Sequence, residues 1–339
     1  MWILVPILIT ISASFYLYSK WKFSYWRRKG FAYIEPEFIF GNTKQFFRNQ
    51  VSYGALFDEF YRKFKSMGLK YGGVYNFFKP ILIVTDLNLI KDLLQKDFEY
   101  FPNRGFYVDE ENDPLAGNLF CLEDEKWKAL RVKLNPTFSS AGSETSATTI
   151  SSALLELAVN HDIQEKARHE IREVLKKHNG EVTYEALGDM TYLDLIMMET
   201  LRKHSPAAKL LRKCGKPYTI PGSNCVIEAG TSLIIPVYSI QRDPDIYPDP
   251  EQFDPERFTS ENKSKRHPCS FLSFGDGPRY CIGIRMGKLQ IKIGLAEILK
   301  NFKVFLNERT SYPIEYESTL VSSVPKGGIW LNLEKVEKY

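Results

Sequence analysis

The sequence predicts a mainly α-helical protein with a small β component, carried behind a single N-terminal membrane-spanning helix. Three observations predict this class. Residues 1–19 carry no charge, several later segments repeat apolar residues at helical spacing, and few runs, chiefly 73–78 and 81–85, are rich in strand formers. Nineteen residues at ~1.5 Å per residue span about 28 Å, close to the ~30 Å hydrocarbon core of a bilayer. Lys20, Lys22, Arg27, Arg28 and Lys29 follow at once, with Trp21, Tyr25 and Trp26 interleaved as interfacial aromatics. Charge after the apolar run and none before it disfavours a cleaved signal peptide and directs the body to the cytosolic side. The expected division is an anchor over 1–19, a basic linker over 20–30 and a folded body over 31–339.

Within the body, Leu56, Phe57, Phe60 and Phe64 predict a helix over 53–65. The runs 73–78 and 81–85, broken by Lys79-Pro80, predict a hairpin, and a helix follows over 87–94. Prolines and glycines mark 101–120 as a loop; 125–134 reads as a helix that stops before Pro136. Asp162 is placed to cap a helix through Lys177 that ends near Asn179-Gly180, and Thr191 with Asp194 resembles a capping box opening a helix to Lys203. Residues 242–258 are a proline-punctuated coil, 282–301 the last long helix, and 328–333 a strand region.

Composition narrows the function. The chain has 45 Lys+Arg and 41 Asp+Glu; setting the five collar charges aside leaves 40 against 41, so the body is neutral and nucleic-acid binding is disfavoured. Five widely spaced cysteines with no C-x-x-C pair argue against a disulfide framework, and the five histidines have no zinc-ligand spacing.

The segment from Phe274 to Gly283 (FGDGPRYCIG) fits F-x-x-G-x-R-x-C-x-G at every fixed position. Chemistry explains each residue if Cys281 is a thiolate ligand of haem iron. Gly277 and Gly283 allow close backbone approach, Arg279 can pair with a propionate, and Phe274 can shield the sulfur. The start of the predicted helix favours the anionic thiolate.

This loop resembles the haem-binding signature of the cytochrome P-450 (haem-thiolate monooxygenase) superfamily, and the rest of the chain follows that family in order. Glu199 and Arg202 in METLR fit its E-x-x-R helix, and Arg257 in FDPERF fits the third member of that network. Trp127 and Arg131 match the helix that contacts a propionate; Arg212 and Arg104 occupy other propionate positions. Residues 141–146 (AGSETS) resemble the oxygen-activating turn, with Thr145 and Glu144 in the proton-handling roles. The resemblance is strongest to the microsomal animal branch, particularly insect-type xenobiotic-metabolising members. It implies haem b with an axial Cys281 thiolate, oxygen insertion into a hydrophobic small molecule, and electrons from an NADPH-dependent flavoprotein reductase, with a b-type cytochrome as a further partner. Lys126, Lys128, Lys133, Arg285, Lys288 and Lys292 are the candidate docking charges. The implied location is the endoplasmic reticulum membrane, single-pass, with the body cytosolic.

The chain departs from the family in one place. Arg131 and Glu144 are 13 positions apart, where the family has several helices between them. Both ends match the family, so an internal deletion is expected at 140/141, removing the roof of the substrate pocket and part of the central bundle. The apolar stripe Ile282, Met286, Leu289, Ile293 and Leu299 is then expected to lose partners. Two other readings follow: a non-catalytic truncated isoform or gene-model product, and, disfavoured by Glu144-Thr145, a haem-thiolate isomerase.

Overall fold

The computed structural model describes residues 4–134, 143–317 and 325–336. The chain forms two compact units, one of residues 1–131 with 209–236, the other of 132–208 with 237–339.

In the first unit, α1 (Leu4–Phe23) is a 20-residue apolar helix long enough to cross a membrane, with its apolar side chains exposed. Helix α2 (Tyr53–Ser66) starts where the Ser52 hydroxyl accepts the Ala55 N–H, and it buries Leu56, Phe57, Phe60 and Phe64. These side chains share a core with residues of a hairpin, β1 (Tyr71–Asn76) and β2 (Lys79–Val84), paired from Tyr71↔Val84 to Asn76↔Lys79. Lys79-Pro80 therefore lies inside the second strand. The turn is made by Phe77-Phe78, with Phe77 at φ +50°. The predicted helix over 87–94 is regular only over Leu87–Lys91 and widens to a π-turn over Asp92–Lys96. Helix α3 (Asp124–Leu134) opens on Asn103, which accepts the Asp124 N–H and donates to its carboxylate at 2.7 Å. Two strands absent from the sequence reading, β3 (Leu210–Lys213) and β4 (Ser232–Ile235), complete a four-stranded sheet in the order β1-β2-β4-β3. Trp26, expected at a membrane interface, is instead buried: its indole lies over Gly73 and donates to the Val74 carbonyl at 3.0 Å.

The second unit contains α4 (Ser143–Val159), α5 (His161–Lys177), α6 (Thr191–Lys203), α7 (Ile284–Asn301), β5 (Phe302–Leu306) and β6 (Leu331–Lys335). Its core joins Leu154 and Leu157 of α4, Ile171 of α5, Ile196 and Met197 of α6, and Leu295 and Leu299 of α7. Helices α4 and α7 approach closely because Gly294 has no side chain; a Cβ there would meet Ile150 at 2.6 Å. The buried face of α7 is Ile291, Leu295, Ala296 and Leu299, so most of the expected unpartnered stripe is not the buried one, and Ile293 remains 40% exposed. Strand β5 pairs antiparallel with β6.

Two predicted caps are corrected. Helix α5 begins after Asn160, so Asp162 lies inside its first turn and does not cap it. Helix α6 uses no capping box. Glu170 of α5 accepts the N–H groups of Tyr192 and Leu193 at 2.6 and 3.0 Å, while Asp194 pairs with Lys292 at 2.9 Å.

Below the C-terminal turn of α6 lies a fully buried ion network. Arg202 donates twice to Glu199, at 2.6 and 2.8 Å, and once to the Gln241 carbonyl; Arg257 stands 3.5 Å from the same carboxylate, which also accepts the Asp254 N–H. Burial raises the pKa of Glu199, opposed chiefly by Arg202. A second buried cluster joins α4 to the end of α6. His204 Nε2 and Lys203 Nζ reach Glu156 at 2.6 and 3.0 Å, and His204 Nδ1 meets the Tyr316 hydroxyl at 2.6 Å. Burial lowers the pKa of His204, so it is held neutral, donating to Glu156 and accepting from Tyr316.

Two expectations follow. Glu199→Gln leaves two buried guanidinium groups without their carboxylate and should destabilise the fold by about 3–5 kcal/mol, read as a fall in the urea midpoint. His204 has a folded pKa below its ordinary 6.5. The unfolded chain therefore takes up the proton first, and the stability held by the neutral ring is complete above pH 6.5 and lost as pH falls below it. The thermal midpoint should drop on acidification through that window, and His204→Gln, which keeps a donor but does not titrate, should flatten the drop.

Candidate functional site

The cysteine loop is built by hydrogen bonds that only a glycine-containing sequence can make. Gly275 and Gly277 adopt φ of +69° and +67°, a region closed to most side chains. The Gly275 N–H donates to the Leu272 carbonyl, and the Tyr280 N–H donates to the Gly277 carbonyl at 2.9 Å. The Cys281 N–H then donates to the Phe274 carbonyl at 2.7 Å, closing the loop and fixing the cysteine backbone. Gly283 is the N-cap of α7, so Cys281 lies two residues before the N-cap, on the positive-dipole side of the helix. The Cys281 side chain is exposed, whereas Arg279 is buried and Phe274 packs on the unit's core.

Gln241, which sequence reasoning missed, ties this loop to the ion network. Its side chain donates to the carbonyls of Leu201 and Arg202 and accepts the Leu272 N–H at 2.8 Å. Ser273 adds a bond to the Leu201 carbonyl at 2.7 Å. A lone glutamine in a proline-rich coil gives no local signal of this role; only the fold places it between α6 and the loop.

The donor set decides what the site can hold. Among the described residues no group of three His, Cys, Asp or Glu side chains is placed to bind a bare metal ion. The loop offers one soft, accessible sulfur at a helix start, which suits a metal that brings its other ligands with it. These residues fit haem.

Glu144 and Thr145 are exposed in the first turn of α4, and the neighbouring Ser146 is buried with its hydroxyl donating to Gln290 of α7 at 2.9 Å. This bond and the contact at Gly294 set α4 beside the helix that follows Cys281. Ala141, Gly142 and the 140/141 junction lie outside the described residues.

The remaining candidates belong to the first unit. Trp127 and Arg131 are buried on α3, with Trp127 6.1 Å from the Phe98 ring. Arg212 is buried on β3. Arg104 stacks on Phe120 at 4.2 Å and donates to its carbonyl at 2.9 Å. An open groove of about 500 Å³ is lined by Phe106, Tyr107, Val108 and Leu122, with Glu110 and Lys126 paired at its edge.

One docking charge is corrected: Lys292 is buried and paired with Asp194, so it cannot present itself to a partner. Lys128 and Arg285 are exposed. Lys288 is half-buried, which lowers its pKa, and lies over the Phe274 ring at 5.7 Å.

Comparison with known proteins agrees with this geometry. The family profile described as Cytochrome P450 matches residues 36–141 and 137–332. The chain is 28% identical to "Probable cytochrome P450 6a13" of Drosophila melanogaster, over 491 aligned positions covering 99% of each chain. It is 28% identical to "Cytochrome P450 6a2" of the same fly, covering 99% of this chain and 100% of the relative. It is 27% identical to "Cytochrome P450 6A1" of Musca domestica, covering 97% of each. Against 491 aligned positions the chain has 339 residues, so at least 152 positions have no counterpart here. The two profile matches meet at 137–141, which locates the interruption between α3 and α4. With most of its length matched in two consecutive blocks, the chain belongs to the cytochrome P450 family.

Proposed function

We propose that Cys281 is the axial thiolate of the haem that this family uses, and that the chain is a monooxygenase by descent whose oxygen-inserting step is impaired by the missing segment. The observation that carries the reading is the closed cysteine loop, with its exposed sulfur at the start of α7 and its backbone braced through Gln241 to Glu199–Arg202. When bound, haem supplies the iron at which dioxygen is reduced, and thiolate donation promotes O–O cleavage. Arg279 would neutralise a propionate, with Arg131, Arg212, Trp127 and Arg104 as the further partners. Gly277 and Gly283 would admit the ring, and Phe274 would limit water beside the sulfur. Thr145 would donate a hydrogen bond on the oxygen side, and Glu144 would pass it protons from solvent.

The substrate class is a hydrophobic small molecule, xenobiotic or lipid-like. Electrons would come from an NADPH-dependent flavoprotein reductase docking on exposed Lys126, Lys128, Lys133 and Arg285, with a b-type cytochrome as a second donor. Helix α1 would hold the protein in the endoplasmic reticulum membrane as a single span, body in the cytosol. A second reading, a non-catalytic haem protein, is favoured by one observation: Glu144 and Thr145 are solvent-exposed, where oxygen activation requires water to be excluded.

The reduced, carbon monoxide-bound spectrum of the full chain should show a thiolate-type Soret band that Cys281→Ser abolishes. With reductase and NADPH, the wild-type chain should consume NADPH chiefly to release hydrogen peroxide. Absence of the band removes the ligand assignment, and tightly coupled substrate oxidation removes the proposed impairment.

A further inference from the structure

Lys209 immediately precedes β3, and its amine sits on aromatic rings. The Nζ lies 3.3 Å from the centre of the Tyr53 ring and 5.7 Å from that of Phe57. Both rings are buried on α2. Tyr53 meets Phe57 edge to face with centroids 4.6 Å apart, and meets Phe46 in the same way at 4.8 Å. The strand places the lysine there. Residues two apart on extended chain share a face, and Leu211, two residues after Lys209, packs on the same core of Phe46, Tyr53 and Phe57. Pairing with β4 fixes the register: Leu211 stands opposite Ile234, whose side chain belongs to that core as well. The amine is thus held against α2 by sheet pairing and by packing together.

Lysines that this fold buries elsewhere are matched with carboxylates, Lys203 with Glu156 at 3.0 Å and Lys292 with Asp194 at 2.9 Å. The rings under Lys209 make a different environment. They solvate an ammonium poorly compared with water, and burial pushes the Lys209 amine from its ordinary 10.5 down to about 7. About half of it is then free amine near neutral pH, against less than about one part in a thousand for a lysine in water. Burial also pushes the Tyr53 phenol up to about 12, so the ring beneath the amine is neutral. Lys209 and Leu211 both remain partly exposed, so a small molecule can reach the nitrogen from solvent.

We infer that Lys209 is a capture site for lipophilic aldehydes, which it holds as an imine while the apolar tail packs with Tyr53 and Leu211. The nitrogen lone pair adds to the carbonyl carbon to give a carbinolamine. The carbonyl oxygen then leaves as water with both amine hydrogens, and a C=N double bond remains. Nothing is oxidised or reduced, and water reverses the step. The imine also removes the charge that burial disfavours. The tail is lipophilic because a polar aldehyde would give up its hydration to a surface of rings and alkyl chains. The inference is independent of haem at Cys281.

The test treats the full chain in detergent with limiting hexanal and sodium cyanoborohydride, which reduces any imine to a stable secondary amine, and maps the adducts by peptide mass spectrometry. Lys63, which is exposed on α2, is the internal reference. Lys209 is expected to be alkylated at least about tenfold faster than Lys63. Glycolaldehyde, small and polar, should give a smaller Lys209-to-Lys63 ratio than hexanal does. In guanidinium chloride, where the seat is lost, the hexanal ratio should fall to about one. A ratio near one in the folded chain overturns the capture site. Equal ratios with the two aldehydes overturn the lipophilic class. A high ratio that survives denaturation overturns the seat, because the reactivity then belongs to the local sequence.

Discussion

The buried carboxylate of Glu199 is the point on which the second unit turns. Without solvent it must be answered by protein groups, and it is: by both arms of Arg202, by Arg257 and by the Asp254 N–H. Arg202 belongs to α6 itself, whereas Asp254 and Arg257 belong to the proline-punctuated coil over 242–258, so the carboxylate pins the end of α6 to that coil. Gln241 extends the same constraint to Leu272, two residues before the cysteine loop. The position of Cys281 is therefore an outcome of charge burial several residues and one helix away. A cysteine on a glycine-rich loop would otherwise have many conformations available to it.

The core around that network remains closed although at least 152 positions of the aligned relatives are missing. Helix α7 finds its partner in α4, the helix whose first turn now follows the interruption. The close approach at Gly294 and the Ser146–Gln290 bond belong to sequence on either side of the loop and do not involve the missing segment. Glu144, Thr145 and Cys281 are all exposed, outside that core.

The fold class and the cysteine loop were legible in the sequence because their signals are local. Glycines at 275 and 277 are needed for left-handed backbone, and the thiol stands at a helix start within the same ten residues. Helices α2, α3 and α6 were legible within two residues of their ends, α2 from apolar spacing, α3 from the proline that follows it, and α6 from a capping pair that the structure does not use. The failures share a different physics. Asp162 and Thr191 have capping chemistry, but at α6 a carboxylate from another helix takes that role. Lys292 looks like a surface charge until the fold buries it against the half-exposed Asp194, and Trp26 looks interfacial until Gly73 opens a slot for its indole. Strands β3 and β4 are too short for a periodic signal; β4 exists because β2 offers it a neighbour, and β3 because β4 does. In each case a partner distant in sequence decided the matter.

Glu170 shows what such distant partners imply for assembly. The first turn of α6 has no acceptor of its own for the Tyr192 and Leu193 N–H groups and uses a side chain from the middle of α5. Completing that turn and docking α5 against it are accordingly one event. The helix that carries Glu199 and Arg202 is thus completed by its neighbour, and the thiol-bearing loop, braced on that helix through Gln241, shares the same dependence.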